Sequence, residues 1–414
     1  MGAFLFSIKI FLYLQSKEIN QMKKAILLLC ITQLFFACKK DEVAHRVSSI
    51  PDQTQINQLK INQLQILGSH NSYHIKTEPG ILQFLNGISF ILPSTLQPAD
   101  LDYEHEPLDI QLNTYGMRSF EIDIYCDPEG GRFYNRQGNV LINKPVASGI
   151  DELNKPGFKV MHIPDIDYNT HFYTFKSMLQ ALKNWSDAHS NHIPIFILVE
   201  GKEQSVGDFL GFLGFKTAVK FTPALCDALD EEVKGVFGAN LEKVITPDKV
   251  RGNYNTLKEA VLANNWPTVG ESRGKFIFVM QGESSDDYLQ GHPSLSNRTM
   301  FLTTTENKPE AAFLQFNNAA RDENKITTAV QNGYIVRTRA DEPNKQNKTN
   351  DYTEQYAAFR GGAQIISTDY YRPDPRHTTN AQFKDYKCRF PNNELARINP
   401  ISGITQLSLG KIAE

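Results

Sequence analysis

The sequence predicts an α/β protein whose single domain is a (β/α)8 TIM-like barrel with insertions. Short, mostly apolar runs recur along the chain, amphipathic segments alternate with them, and histidine, acidic and basic side chains collect where the runs end. The runs are Leu64–Leu67, Ser119–Ile124, Lys159–Ile163, Ile193–Val199, Lys275–Met280, Ala312–Phe316, Tyr334–Arg339 and Gln364–Thr368. Eight such strands close a barrel of this kind.

The segments between them have helical period. Phe172, Phe175, Leu179, Leu182 and Trp185 follow Asn169-Thr170, which reads as an N-cap pair. Leu108, Leu112 and Tyr115 precede Gly116, and Tyr352, Tyr356 and Phe359 precede Gly361-Gly362, glycines suited to ending a helix. These apolar side chains are expected in the core. Two stretches exceed a minimal barrel. Residues 126–157 read as a long loop or small hairpin on the rim. Residues 203–274 hold at least two helices, one after Thr222-Pro223 and one from Asn255 through Leu262.

At 414 residues, 41% hydrophobic and 21% charged, the chain has the composition of a globular protein. A net charge of -3 with no basic block argues against nucleic acid as a partner. The five cysteines, Cys30, Cys38, Cys126, Cys226 and Cys388, lack Cys-x-x-Cys spacing, so no zinc or thioredoxin-like motif is indicated. A bridge from Cys126 to Cys388 or Cys226 stays open.

The start of the chain resembles a bacterial lipoprotein signal. Met22-Lys23-Lys24 is basic, Ala25 to Phe36 is apolar but too short to span a bilayer, and Ala37-Cys38 closes it. The resemblance implies translation from Met22, a signal segment over 1–38, lipidation of Cys38, a polar linker over 39–59 and the barrel over 60–414. Lys39-Lys40-Asp41-Glu42 resembles a surface-export signal. The implied location is extracytoplasmic, anchored to the outer membrane or cell surface of a bacterium. A plain secretory signal is the alternative.

The chemistry sits at the strand ends. Leu64–Leu67 runs into Gly68-Ser69-His70-Asn71-Ser72-Tyr73, a turn carrying an imidazole beside a carboxamide. We read His70 as acid/base and Asn71 as a ligand; a surface turn is the plainer alternative. In Arg118-Ser119-Phe120-Glu121-Ile122-Asp123-Ile124, strand alternation puts Glu121 and Asp123 on one face and the apolar residues on the other. Two like charges at 4 Å repel by about 4 kcal/mol at an effective dielectric constant of 20, so a positive group is required. A structural ion pair with Arg118 or another base is one answer. Glu200, at the end of Ile193–Val199, adds a third carboxylate, and with Asn71 the four make an all-oxygen set suited to Ca²⁺.

His162 ends the third run. A histidine pair flanking a cation suits phosphoryl chemistry, one taking a proton from the nucleophile and the other giving one to the leaving oxygen. Arg337 and Arg339 share a strand face, as phosphate or sugar ligands or as counter-ions of carboxylates such as Asp341 or Asp369. His74, His105 and His171 are weaker candidates; His45, His189, His192, His292 and His377 are assigned no role.

Together, Gly-Ser-His-Asn-Ser-Tyr at 68–73, Phe-Glu-Ile-Asp at 120–123, Met-His at 161–162, Val-Glu-Gly-Lys at 199–202, Val-Arg-Thr-Arg-Ala-Asp at 336–341 and Ser-Thr-Asp-Tyr at 367–370 resemble the bacterial-type Ca²⁺-dependent phosphoinositide-specific phospholipases C. The resemblance implies a barrel that cleaves phosphatidylinositol at a membrane surface into diacylglycerol and a cyclic inositol phosphate. It implies His70 and His162 as the acid/base pair, Asn71, Glu121, Asp123 and Glu200 as Ca²⁺ ligands, and Lys202, Arg337 and Arg339 as phosphate or inositol contacts. One rival is a glycerophosphodiester phosphodiesterase, which typically has His-Arg where this chain has His70-Asn71. The other is a silent surface barrel that binds lipid or glycan without turnover.

Overall fold

The computed structural model describes residues 53–92, 96–282, 284–403, 412 and 414, all within one compact unit, Ile50–Glu414. The signal segment, Met22 and Cys38 lie outside the described residues.

Ten strands form one sheet. In chain order they are β1 (Leu64–Ser69), β2 (Ser119–Asp127), β3 (Gly157–Val160), β4 (Ile195–Gly201), β5 (Phe276–Gly282), β6 (Met300–Leu302), β7 (Phe313–Phe316), β8 (Ile335–Arg339), β9 (Ile365–Thr368) and β10 (Ala396–Ile398). Parallel pairing runs β6-β5-β4-β2-β1-β9-β8-β7. A parallel bridge from Thr303 to Phe313 joins the two ends, with Thr304 N–H donating to Phe313 O at 3.1 Å. The result is a closed barrel of eight parallel strands.

The eight are not quite the eight the sequence predicts. The run Lys159–Ile163 is no barrel strand: β3 pairs antiparallel with β2, Ile124 opposite Val160 and Asp127 opposite Gly157, as a ribbon standing on the rim. Its apolar run is spent on that ribbon, and Lys159 is buried in it beside Asp127 at 3.3 Å. The missing barrel strand is β6, three residues long and too short to show a pattern. The stretch 126–157 is therefore the tip of a β2–β3 hairpin, with 128–156 as its loop. β10 adds an antiparallel partner to the first half of β1.

Helices cover the outside. Phe175–Ala188 begins at Thr174, whose Oγ1 accepts from Ser177 N–H at 3.1 Å, so the cap lies beyond Asn169-Thr170 and Phe172 precedes the helix. It buries Phe175, Met178, Leu179, Leu182 and Trp185, each contributing about 1.5–3 kcal/mol. In the 203–274 insertion, Pro223–Phe237 is capped by Thr222 and Leu257–Leu262 by Thr256. Tyr356, expected in the core, is 53% exposed. The last residues of the stretch read as a linker are folded: Gln53–Gln58 is helical, and Ile56 and Leu59 are buried in the main core. Cys126, Cys226 and Cys388 are buried free thiols, so no bridge joins them.

Candidate active site

Strand register builds the acidic floor. Asp123 on β2 lies opposite Glu200 on β4, and Glu200 opposite Gln281 on β5, so three neighbouring strands present one row of oxygen-bearing side chains. Glu121 precedes Asp123 by one strand repeat and shares its face. Carboxylate oxygens of Glu121, Asp123 and Glu200 all lie within 4.8 Å of one another.

The sequence demanded a positive group here, and two are present. Lys202 Nζ sits 2.7 Å from Glu200 Oε1 and 3.1 Å from Asp123 Oδ2. Arg337 Nη2 donates to Glu121 Oε2 at 2.5 Å, with Ser367 and Asn317 taking its other N–H groups. Arg118 does not serve, because its guanidinium pairs with Glu414. At Asp123 burial outweighs the opposing charge of Lys202 and raises the pKa to about 6.

Asn71 stands beside this row. Its φ of 47° is tolerated by asparagine better than by most side chains. The next residue, Ser72, donates from both N–H and Oγ to Glu121 O, at 2.9 and 2.8 Å. Asn71 Nδ2 donates to Tyr103 OH at 2.9 Å, so its carbonyl oxygen is the end not used in that bond. Asp123 Oδ1 is buried without a hydrogen-bond partner, and Oδ2 has the Lys202 ammonium as its ion-pair partner. An oxygen-only set with such an under-satisfied carboxylate fits a hard cation such as Ca²⁺.

Each histidine is held by a carboxylate. His70 Nδ1 meets Asp369 Oδ1 at 2.9 Å, and its Nε2 lies 3.8 Å from Glu121 Oε1. His162 Nδ1 meets Asp167 Oδ2 at 2.8 Å. His162 lies on the loop after β3, not at the end of a barrel strand. Burial opposes its charged form, but the hydrogen bond and charge of Asp167 win and its pKa is raised. Asp167 also takes His74 Nε2, at 2.8 and 2.9 Å, and the Thr77 hydroxyl. Against its own burial, the two histidines hold it well below the usual carboxylate range.

Arg339 is a counter-ion. Its Nη2 donates to Asp369 Oδ2 at 2.6 Å and to Asn344 Oδ1 at 2.6 Å, while Nη1 lies 3.5 Å from His70 Nε2. His105, buried behind the site, has Nε2 2.6 Å from His70 O; burial lowers its pKa to about 3. His171 Nε2 lies 2.9 Å from His105 O.

A family model described as phosphoinositide phospholipase C, Ca²⁺-dependent, matches residues 59–400. The chain belongs to this family. It is a phospholipase C and so a phosphodiesterase. Among solved structures the phospholipase is similar to the calcium-dependent phosphoinositol-specific phospholipase C of Pseudomonas sp., at 15% identity and TM-score 0.47, covering 85% of this chain and 99% of that one. It is also similar to the Ca²⁺-dependent enzyme of Streptomyces antibioticus, at 15% identity and TM-score 0.44, with 75% and 95% coverage. No curated protein matches it.

The fold thus gathers His70, Asn71, Glu121, Asp123, His162, Glu200, Lys202, Arg337 and Arg339 of the phospholipase about one barrel mouth. Asp167 and Gln281 escaped the sequence reading. Asp167 had a signal: a histidine meant to move protons needs a carboxylate to orient it, and His162 has Asp165 and Asp167 close by in sequence. Gln281, whose Nε2 donates to Glu121 Oε1 at 3.0 Å, carried none beyond its place at a strand end.

Proposed function

We propose that this phospholipase cleaves phosphatidylinositol, or a related inositol phospholipid, into diacylglycerol and a cyclic inositol phosphate, with His70 and His162 as its acid/base pair. The observation that carries this reading is the pair of histidine–carboxylate couples, each bonded through Nδ1, on either side of the acidic row. Asn71, Glu121, Asp123 and Glu200 would hold Ca²⁺, which when bound offsets negative charge on the phosphate.

His70 takes the proton of the inositol 2-hydroxyl as that oxygen bonds to phosphorus. The bond from phosphorus to the glycerol oxygen breaks, and His162 gives that oxygen a proton. The raised pKa of His162 suits it to the acid role. Asp369 and Asp167 fix the two rings, and Asp167 stabilises the charged form of His162. Lys202, Arg337 and Arg339 bring positive charge towards the phosphate and inositol, the two arginines while also pairing with Glu121 and Asp369.

Lipidation at Cys38, extracytoplasmic placement and the 60–414 barrel boundary are part of this proposal. Expressed from Met22 in a bacterium fed labelled fatty acid, the parent should take up label and Cys38→Ser should not; a parent without label would remove the anchor. The deciding experiment assays the chain from Lys39 onward, which keeps the whole compact unit, on phosphatidylinositol with calcium and with chelator. Calcium-dependent release of cyclic inositol phosphate and diacylglycerol is expected. Turnover of glycerophosphodiesters alone would transfer the reading to the first rival, and binding without turnover to the silent barrel.

A further inference from the structure

The two histidines of the site stand on different mounts. His70 follows β1, a barrel strand, whereas His162 follows β3, a ribbon that leaves the barrel wall. When one ring takes a proton and the other gives one across the same phosphate, their separation must be fixed, so the loop after β3 has to be tied to the loop after β1. Backbone bonds begin the tie. Ile75 N–H donates to Asn169 O at 3.2 Å and His171 N–H to Tyr73 O at 2.9 Å, with an antiparallel bridge between His74 and Thr170. Asn169 Nδ2 adds a bond to Lys76 O at 2.9 Å. These bonds hold residues 169–171, and none of them reaches the ring of His162.

That ring is reached through one carboxylate. Asp167 Oδ2 meets His162 Nδ1 at 2.8 Å, and His74 Nε2 lies 2.9 Å from Oδ1 and 2.8 Å from Oδ2 of the same group, so one N–H spans both oxygens. The Thr77 hydroxyl meets Oδ1 alone. His74 Nδ1 has no partner, which puts the ring proton on Nε2, facing the carboxylate. The His74 ring is wholly buried and stacked on Tyr103, centroids 4.4 Å and planes 22° apart, and its edge stands over His162 with centroids 5.9 Å apart. A ring held this firmly gives the carboxylate a fixed anchor on the β1 loop.

We propose that His74 is a positioning residue for the leaving-group step: its Nε2–H clamps Asp167, and so holds the ring of His162 on the ribbon in register with His70 on the barrel. This rests on the acid and base roles given above. Sharing the charge of Asp167 between donors has a second effect. A buried carboxylate with fewer donors holds the proton of a neighbouring imidazolium harder, so His74 also keeps the acid ready to release its proton.

The test compares His74→Phe with His74→Gln in the chain from Lys39 onward, on phosphatidylinositol with calcium. Phenylalanine keeps a ring against Tyr103 and loses the donor; glutamine loses the ring and carries a donor at similar reach. Packing alone favours phenylalanine, whereas the clamp favours glutamine. In His74→Phe, kcat should fall about tenfold with KM nearly unchanged, and the ionisation of His162, followed by imidazole NMR, should move up by about one pH unit. In His74→Gln both should stay near the parent. Asp123 and Lys202, whose charges also act on His162, are left in place in all three proteins. Glutamine no better than phenylalanine, or phenylalanine at the parent's kcat, overturns the proposal. If His74→Phe does not fold, a folded His74→Gln that has lost about tenfold in kcat still overturns it. If the parent does not turn over phosphatidylinositol, the functional reading fails, while the NMR shift in His74→Phe, present or absent, still decides whether His74 clamps the His162 couple.

Discussion

His162 and Asp167 meet Nδ1 to Oδ2 at 2.8 Å, and the same carboxylate is bound by His74. Asp167 thus couples a ring at the site to a ring wholly buried behind it. Asp167→Asn keeps the shape but removes the charge that favours protonated His162. Turnover should fall about a hundredfold or more, and the pH limb belonging to the acid should move down. A pH–rate profile checks both, and an unmoved limb would take His162 out of the acid role.

Asp123 gives calcium binding a pH dependence. Burial, partly offset by Lys202, raises its pKa to about 6, and a ligand carboxylate must be ionised. Above pH 6 affinity should be nearly flat; below it, affinity should fall about tenfold per pH unit. Calorimetric titration with calcium at pH 7 and pH 5 measures this. In Asp123→Asn, binding should be weaker and that pH step absent.

Gly68 is required by a close approach. A Cβ there would lie 2.6 Å from Ser119 Cβ and 2.9 Å from Ser119 O, where β1 pairs with β2. Gly68→Ala should destabilise the protein by about 1–3 kcal/mol. Because the two strands carry His70 and Glu121, activity should drop further than the loss of folded protein explains. Urea denaturation beside specific activity separates the two effects.

Acid stability should depend on His192. It is buried with Nδ1 2.6 Å from Ile193 O and Nε2 2.8 Å from Ser186 Oγ, and burial lowers its pKa to about 4. Between pH 6.5 and about 4 the unfolded chain takes a proton there that the folded one refuses. Stability therefore falls as pH falls, by about 1.4 kcal/mol per unit for this group. His162, with a raised folded pKa, changes its contribution above pH 6.5 and is nearly constant between these two pH values. Urea denaturation at pH 6.5 and 4.5 should show a shallower loss in His192→Asn.

The legible parts of this protein are those where one residue type can do only one thing. Alternation along Ser119–Ile124 put two carboxylates on one face, and their repulsion demanded the cations that Lys202 and Arg337 supply. The barrel itself was legible because most of its strands are apolar on both faces. What escaped depended on partners distant in sequence. Nothing in Phe158–Val160 tells an antiparallel ribbon from a barrel strand, since its apolar run is equally well buried either way. Met300–Leu302 is too brief to show a period. Whether Arg337 faces substrate or Glu121 is decided by a residue more than two hundred positions away.

The barrel's closure has a mechanical consequence. Seven of its eight joints are continuous ladders, whereas β6 and β7 are linked by the bridge at Thr303–Phe313. A hoop gives first at its shortest lap, so thermal breathing should concentrate there, and amides of Met300–Leu302 and Phe313–Phe316 should exchange with solvent before those of the other staves. Counting round the hoop, the point diametrically opposite is the joint between β1 and β2, which leads into His70 and Asn71 and carries Glu121 and Asp123. The wall that must hold its atoms still is the one farthest from the hinge that lets the cylinder flex.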